Sequence, residues 1–188
     1  SIMNAKGSKT TIGHEGHSEM ESTTNTETKD RGSNVRRLEV SSKFQTQLQV
    51  VFDAYIAVQN ALAKDNPELA KQGASKLLNK ITEVNMELLK DNTAHTHWMR
   101  LEKELNTATS TISSTSDIKK QREHFIHLSA HLLNSLKTFG INQRVYVDFC
   151  PMANNNVGVY WLSKEQEIRN PYFGNDMLDC GSVTDEID

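Results

Sequence analysis

The stretch FQTQLQVVFDAYIAVQNAL, residues 44–62, decides the fold class of this chain. Its apolar residues recur at alternating steps of three and four, which is the spacing of one buried helix face. The stripe consists of Phe44, Leu48, Val51, Phe52, Tyr55, Val58 and Leu62. The pattern therefore predicts a long amphipathic helix whose apolar face must pack against further elements.

Three more helices with the same periodicity follow. Asn66 and Pro67 form an N-cap and first helical position for the second helix, and Ser116 or Asp117 caps the fourth. Gly140 stands where a helix C-cap needs a left-handed residue. The apolar positions of the three helices are Leu69, Ala70, Ala74, Leu77, Ile81, Val84 and Leu88, then Trp98, Leu101, Leu105, Ala108 and Ile112, then Ile118, Phe125, Leu128, Leu132, Leu136 and Phe139. We predict a mainly α fold, a four-helix up-and-down bundle over about residues 40–140.

After Gly140 the period changes to two. Apolar and other residues alternate from Val145 to Phe149, which predicts a short strand running into Cys150. The turn signal Asn154–Asn156 separates it from a second strand over residues 157–162. An isolated hairpin is marginal in water, so we expect a small C-terminal β-hairpin and loop cap that packs on the bundle.

Composition limits the classes of function. The chain has 188 residues, a net charge of -3 and 24 acidic against 21 basic side chains. This balance argues against a nucleic-acid surface, whose mark is a clustered basic excess. No apolar run is long enough to cross a bilayer, so we expect no direct membrane insertion.

Residues 1–34 differ from the rest in composition. They are rich in Ser, Thr, Gly, Asn, Glu and Lys, and too poor in apolar residues to form a core. We therefore predict a disordered tail or linker, with residues 35–188 as the folded domain. Within the tail, His14, His17 and Met20 form a candidate accessory metal-collecting cluster. The alternative is a polar linker whose histidines bind metal only adventitiously.

Four sulfur-containing residues bracket the C-terminal segment. Cys150 and Met152 stand at its start, and Met177 and Cys180 stand near its end. Thiolate and thioether sulfurs are soft ligands that favour Cu(I), so the four could form an all-sulfur site. Two other readings stay open: the cysteines form a disulfide in an oxidising compartment, and the methionines fill gaps in the core.

A second group, His124, His127 and His131, shares one face of the fourth predicted helix. Imidazoles at this spacing can share a metal ion, but histidines that merely border the core are the preferred interpretation. Enzymatic patterns are missing from the sequence. It has no Glu-x-x-His pair within the bundle segments, no phosphate-binding glycine motif and no H-E-x-x-H. We therefore expect a non-enzymatic protein.

The run CPMANNNVGVYWLSKEQEIRNPYFGNDMLDCG, residues 150–181, resembles a known bacterial family. The family is a domain of formerly unknown function, found in Bacteroidetes and related bacteria. It occurs at the C-terminus of CusB-like periplasmic adaptors (membrane fusion proteins) of copper and silver RND efflux systems, and as stand-alone proteins. Arg122, Phe125, Leu128 and Ser129 resemble the family's last long helix, and Trp98 resembles the start of its third.

The resemblance implies a location in the periplasm or cell envelope and a role in metal handling. Together with the sulfur ligands, it predicts a domain that binds Cu(I) or Ag(I) and helps to pass the ion to an RND efflux pump or its adaptor. The alternative function is a docking module of the adaptor. In that case Cys150 and Cys180 form a structural disulfide and no specific metal binds.

Overall fold

The computed structural model describes residues 35–188. Four long helices form the predicted bundle: α1 spans Ser42–Ala63, α2 Pro67–Thr82, α3 Asn92–Ser113 and α4 Ile118–Phe139. Each helix packs on the one that follows it, and α1 also packs on α4. The topology is therefore up-and-down. Across the described residues, no helix is both long and apolar enough to span a membrane.

The helix ends follow the local sequence signals. Asn66 caps α2, because its side chain accepts the N–H of Leu69 at 3.0 Å, and Pro67 is the first helical residue. The carboxylate of Asp117 caps α4. At the other end of α4, Gly140 has a φ of +78°, in the region that glycine adopts without steric cost. These three predicted ends are confirmed.

The apolar stripes meet in one core. Every stripe residue predicted for α1 and α3 is buried. In α2 the prediction was wrong for Leu69, which is 46% exposed, and for the end of the helix, because α2 stops at Thr82 and Val84 and Leu88 lie beyond it. Leu69 precedes Ala70 by one residue, and neighbouring helical residues point about 100° apart. Because Ala70 continues the buried row of α2, Leu69 must point away from the core.

A three-stranded antiparallel sheet follows the bundle. It consists of β1 (Val145–Cys150), β2 (Val159–Ser163) and β3 (Ser182–Ile187), in the order β2-β1-β3. The β1–β2 hairpin confirms the prediction. The third strand was not predicted, because most of β3 is exposed and includes Asp185 and Glu186. A polar edge strand lacks the apolar alternation by which strands are recognised.

The hairpin connection has an unusual backbone. Asn154, Asn155 and Asn156 have φ values of +55°, +54° and +62°, so three consecutive residues are left-handed. Asparagine is among the few residues that adopt this conformation readily. Gly158, just before β2, also has a positive φ, and a Cβ there would overlap the ring of Phe149. The connection therefore depends on the residue types present.

Buried hydroxyl groups join the sheet to the bundle. The Tyr55 hydroxyl of α1 lies 2.7 Å from the Ser129 hydroxyl of α4 and accepts the backbone N–H of Leu162 at 3.0 Å. The Tyr172 hydroxyl donates to the carbonyl of Tyr160 at 2.7 Å. The sheet and the segment before β3 thus form a cap packed on the bundle, as expected.

Candidate functional site

The two cysteines meet at one end of the sheet. Cys150 is the last residue of β1, and Cys180 lies two residues before β3, whose first residue Ser182 pairs with Phe149. Their Sγ atoms are 2.8 Å apart, and both are free thiols. Cys150 is fully buried and Cys180 is half-buried. We call Cys150 and Cys180 the thiol pair.

The surroundings of Cys180 favour its protonated form. The hydrogen bond with Cys150, followed by burial and the negative charge of Cys150 and Asp179, raises the pKa of Cys180 to about 11. Cys180 is therefore protonated at neutral pH. Because the thiolate is the form that attacks disulfides and binds metals, any reaction of this thiol must remove its proton.

The two methionines occupy different surroundings. Met177 is half-buried, and its backbone carbonyl accepts the N–H of Cys180 at 3.2 Å. Met152 is 51% exposed and lines a cavity of about 530 Å³ between the Asn154–Asn156 turn and the first half of α4. The structure thus brings the two cysteines together, ties Met177 to Cys180 through the backbone, and places Met152 at the surface.

The histidines of α4 lie on the bundle surface. The rings of His124 and His127 are 6.3 Å apart between centroids. His131 Nε2 lies 3.7 Å from a carboxylate oxygen of Glu104, and burial lowers the pKa of His131. Within residues 35–188, no cluster of three or more His, Cys, Asp or Glu side chains could hold a metal ion. His14, His17 and Met20 lie outside the described residues.

A buried acid two residues before Cys150 was missed by the sequence analysis. Asp148 of β1 stands opposite Trp161 of β2, and both side chains are fully buried. The carboxylate oxygens of Asp148 and the indole N–H of Trp161 have no hydrogen-bond partner in the described part of the chain. Burial raises the pKa of Asp148 to about 7. The one signal in the sequence was an acidic residue within an otherwise apolar strand.

A buried amide holds the segment that carries Cys180. Asn170 is fully buried, and its Nδ2 donates to the carbonyl of Cys180 at 2.9 Å. Its Oδ1 accepts the N–H groups of Tyr172 and Phe173 at 2.8 and 3.1 Å. Asn170 is the first residue of the NPYFG motif, residues 170–174. This motif therefore also fixes the backbone of one of the two cysteines.

Comparisons with known proteins cover the bundle rather than the thiol pair. A family model described as "Protein of unknown function (DUF3347)" matches residues 51–144, from within α1 to the residue before β1. No curated protein and no solved structure matches the chain. The thiol pair, the Asn154–Asn156 turn and the NPYFG motif lie beyond the matched residues.

Proposed function

The chain belongs to the family of proteins of unknown function DUF3347. We propose that its thiol pair captures Cu(I) or Ag(I) and hands the ion to a heavy-metal efflux system. The proposed periplasmic location and efflux partner derive from the sequence resemblance. The proposed ligands derive from one observation, the 2.8 Å contact between the sulfurs of Cys150 and Cys180. The proposed role is capture and transfer, without a chemical reaction of a substrate.

The donor set fits a soft monovalent ion. Thiolate sulfur binds Cu(I) in preference to hard cations such as Mg²⁺ or Ca²⁺. Cys150 comes from a strand and Cys180 from the irregular segment before β3, so the two ligands belong to separate parts of the chain that meet in the fold. Met152 and Met177 are the proposed further sulfur ligands, on the same chemical ground.

Binding of an ion between Cys150 and Cys180 must move their two sulfurs apart. At about 2.3 Å per metal–sulfur bond, the length seen for zinc thiolates, two sulfurs on opposite sides of an ion stand roughly 4.6 Å apart. The present distance is 2.8 Å. We therefore expect the half-buried Cys180 side chain to turn outward when the ion binds, while Cys150 stays paired with Val159 of β2.

A Cu(I) titration tests the proposal. Reduced protein, kept anaerobic, should compete with a Cu(I) chelator and bind about one ion per chain, whereas the variant with Cys150→Ser and Cys180→Ser should not. Since an ion held only by the native state favours folding, Cu(I) should also raise the stability of the wild type. Equal weak binding by both proteins would contradict the proposal.

The methionines have a matched control in the same chain. Met152→Leu together with Met177→Leu should weaken Cu(I) binding and preserve packing, because leucine has a similar volume. Met99 on α3 is 51% exposed, like Met152, and is remote in sequence from the thiol pair. Met99→Leu should leave the Cu(I) affinity unchanged. If all three methionine substitutions leave the affinity unchanged, the ligands are the cysteines alone.

The short contact between the sulfurs also favours a second function, a docking module of the efflux adaptor with a Cys150–Cys180 disulfide. Forming the bond brings the sulfurs to about 2.05 Å, closer than the present 2.8 Å. Intact mass with and without reductant separates the two, because a disulfide lacks the two thiol hydrogens. Under this function reduction destabilises the domain, and added Cu(I) does not restore its stability.

A further inference from the structure

We infer that Asn170 is the positioning residue of the thiol pair: its side-chain amide fixes the backbone of Cys180 and thereby the approach of the two sulfurs. The inference deepens the proposed function and rests on it, since it concerns the same two sulfurs. It does not depend on which ion binds.

Every nitrogen and oxygen atom of Asn170, in the side chain and in the backbone, makes a hydrogen bond. The side chain donates to Cys180 and accepts from Tyr172 and Phe173, as described above. The backbone N–H donates to the carbonyl of Leu178 at 2.7 Å, and the carbonyl accepts the N–H of Gly174 at 3.1 Å. A fully buried side chain with this many bonds is costly to disturb, because a lost partner leaves a buried polar group unpaired. Asn170 therefore joins the middle of the segment between β2 and β3 to its end, at Leu178 and Cys180.

These bonds constrain Cys180 from both sides of its α-carbon. Its N–H is bonded to the carbonyl of Met177, and its own carbonyl is bonded to Asn170. The next residue, Gly181, has a φ of +131°, and a Cβ there would lie 2.8 Å from the carbonyl oxygen of Phe149. The segment can therefore come close to β1, and Asn170 holds it there.

Asn170 is in turn held by the bundle. Its neighbour Pro171 accepts the Arg122 Nε–H of α4 at 2.8 Å. On the other side, the carbonyl of Arg169 accepts the Gln59 side-chain amide of α1 at 2.7 Å. Both flanking carbonyls are bonded to helices. The side-chain amide of Asn170 therefore holds the backbone of Cys180 at a fixed position relative to the bundle.

The proximity of two thiols can be measured without a metal. In a glutathione buffer, oxidised glutathione accepts two electrons and both thiol hydrogens, giving one protein disulfide and two reduced glutathione molecules. The equilibrium constant of this exchange is the effective concentration of one thiol at the other. It reports how well the folded protein aligns the thiols, provided that the variant remains folded.

The chain offers a matched control. Gln121 of α4 is also a fully buried amide, and its Nε2 donates to the backbone carbonyls of Pro67 and Thr115. Asn170→Asp and Gln121→Glu each replace a buried amide by an acid and remove its donors, but only the first affects Cys180. Both should destabilise the fold to a similar degree. Only Asn170→Asp should lower the effective concentration, by about tenfold or more.

A second variant covers the case in which Asn170→Asp does not fold. Asn170→Ser introduces no charge and keeps an oxygen that can accept the turn N–H of Tyr172, but it is too short to reach the carbonyl of Cys180. It should lower the effective concentration in the same direction. An unchanged constant in a folded Asn170 variant, or an equal fall in Gln121→Glu, would overturn the inference.

The outcome is separable from that of the metal proposal. If wild-type protein binds no Cu(I) but Asn170→Ser still lowers the glutathione constant, the metal proposal fails and the positioning role stands. If Cu(I) binds and the glutathione constant is the same in wild type and Asn170→Ser, the positioning role fails and the metal proposal stands.

Discussion

Arg122 of α4 holds the carboxylate of Asp65, in the turn between α1 and α2, at 2.7 Å. The same guanidinium donates to the carbonyl of Leu62 at 2.9 Å and to that of Pro171 at 2.8 Å. The other carboxylate oxygen of Asp65 accepts the N–H of Asn175 at 2.9 Å. One arginine thus ties the α1–α2 turn to the segment that carries the NPYFG motif.

Arg122→Gln should lower the free energy of unfolding by about 1–3 kcal/mol, because two carbonyls and a carboxylate lose a charged donor. Urea unfolding followed by circular dichroism measures the change. Arg144→Gln is the control, since Arg144 is 57% exposed and its ion pairs with Glu186 and Asp188 are at the surface. Such pairs contribute little, so an equal loss in both variants would contradict the role given to Arg122.

Asp148 should make stability depend on pH. Burial raises its pKa to about 7, so the folded state binds the proton more tightly than the unfolded state does. Protonation of Asp148 therefore stabilises the folded state. This stabilisation is fully present below about pH 4 and is lost as the pH rises through about 7. Asp148→Asn keeps the shape and removes the titration. The variant should therefore gain stability relative to wild type by a few kcal/mol between pH 4 and pH 8.

The measurement is urea unfolding of wild type and Asp148→Asn at pH 5 and pH 8. The difference between the two proteins should be larger at pH 8. A difference independent of pH would show that the Asp148 carboxyl does not titrate in this range.

Tyr55→Phe should destabilise the contact between sheet and bundle by about 1–3 kcal/mol. The substitution leaves the buried N–H of Leu162 without an acceptor and removes the shorter of the two hydrogen bonds of the Ser129 hydroxyl, leaving the 3.4 Å contact with Tyr172. Thermal and urea unfolding both report the loss. Tyr160→Phe is the control, because Tyr160 is 46% exposed and is expected to change stability by less than about 0.5 kcal/mol.

The histidines of α4 should not contribute to Cu(I) binding. Replacing His124, His127 and His131 together with Gln removes every imidazole of this face and leaves the thiol pair intact. The stoichiometry in the anaerobic titration should match that of the wild type. A loss of one ion per chain would assign the metal site to this helix instead.

Much of the bundle was predictable because its signals are local. A stripe such as Leu48 and Tyr55 appears within one helix, and caps such as Asn66 need only a few neighbouring residues. The sheet was harder. Val147 and Asp148 are adjacent in β1 and both are buried, so both faces of that strand are covered. Alternation distinguishes the two faces of a strand but does not say which of them faces water.

The candidate site was predictable only in part. Both the all-sulfur site and the disulfide required Cys150 and Cys180 to converge, and the structure places their sulfurs in contact. The bond from Asn170 to Cys180 joins residues on two sides of a Pro and Gly turn and has no local signature. A third strand as polar as β3 also gives no pattern, so the partner strand that brings Cys180 to β1 was missed.

The strand order has a consequence for biosynthesis. β1 is central, yet β2 follows it after a short turn whereas β3 is the last of the three strands to leave the ribosome. The bundle and the hairpin can therefore form before Cys180 is brought to β1, because the segment that carries Cys180 follows both of them in the chain. Until then Cys150 lacks the partner that the folded structure places at 2.8 Å. Its pairing with Cys180, whether through a bond or an ion, belongs to the final stage of folding.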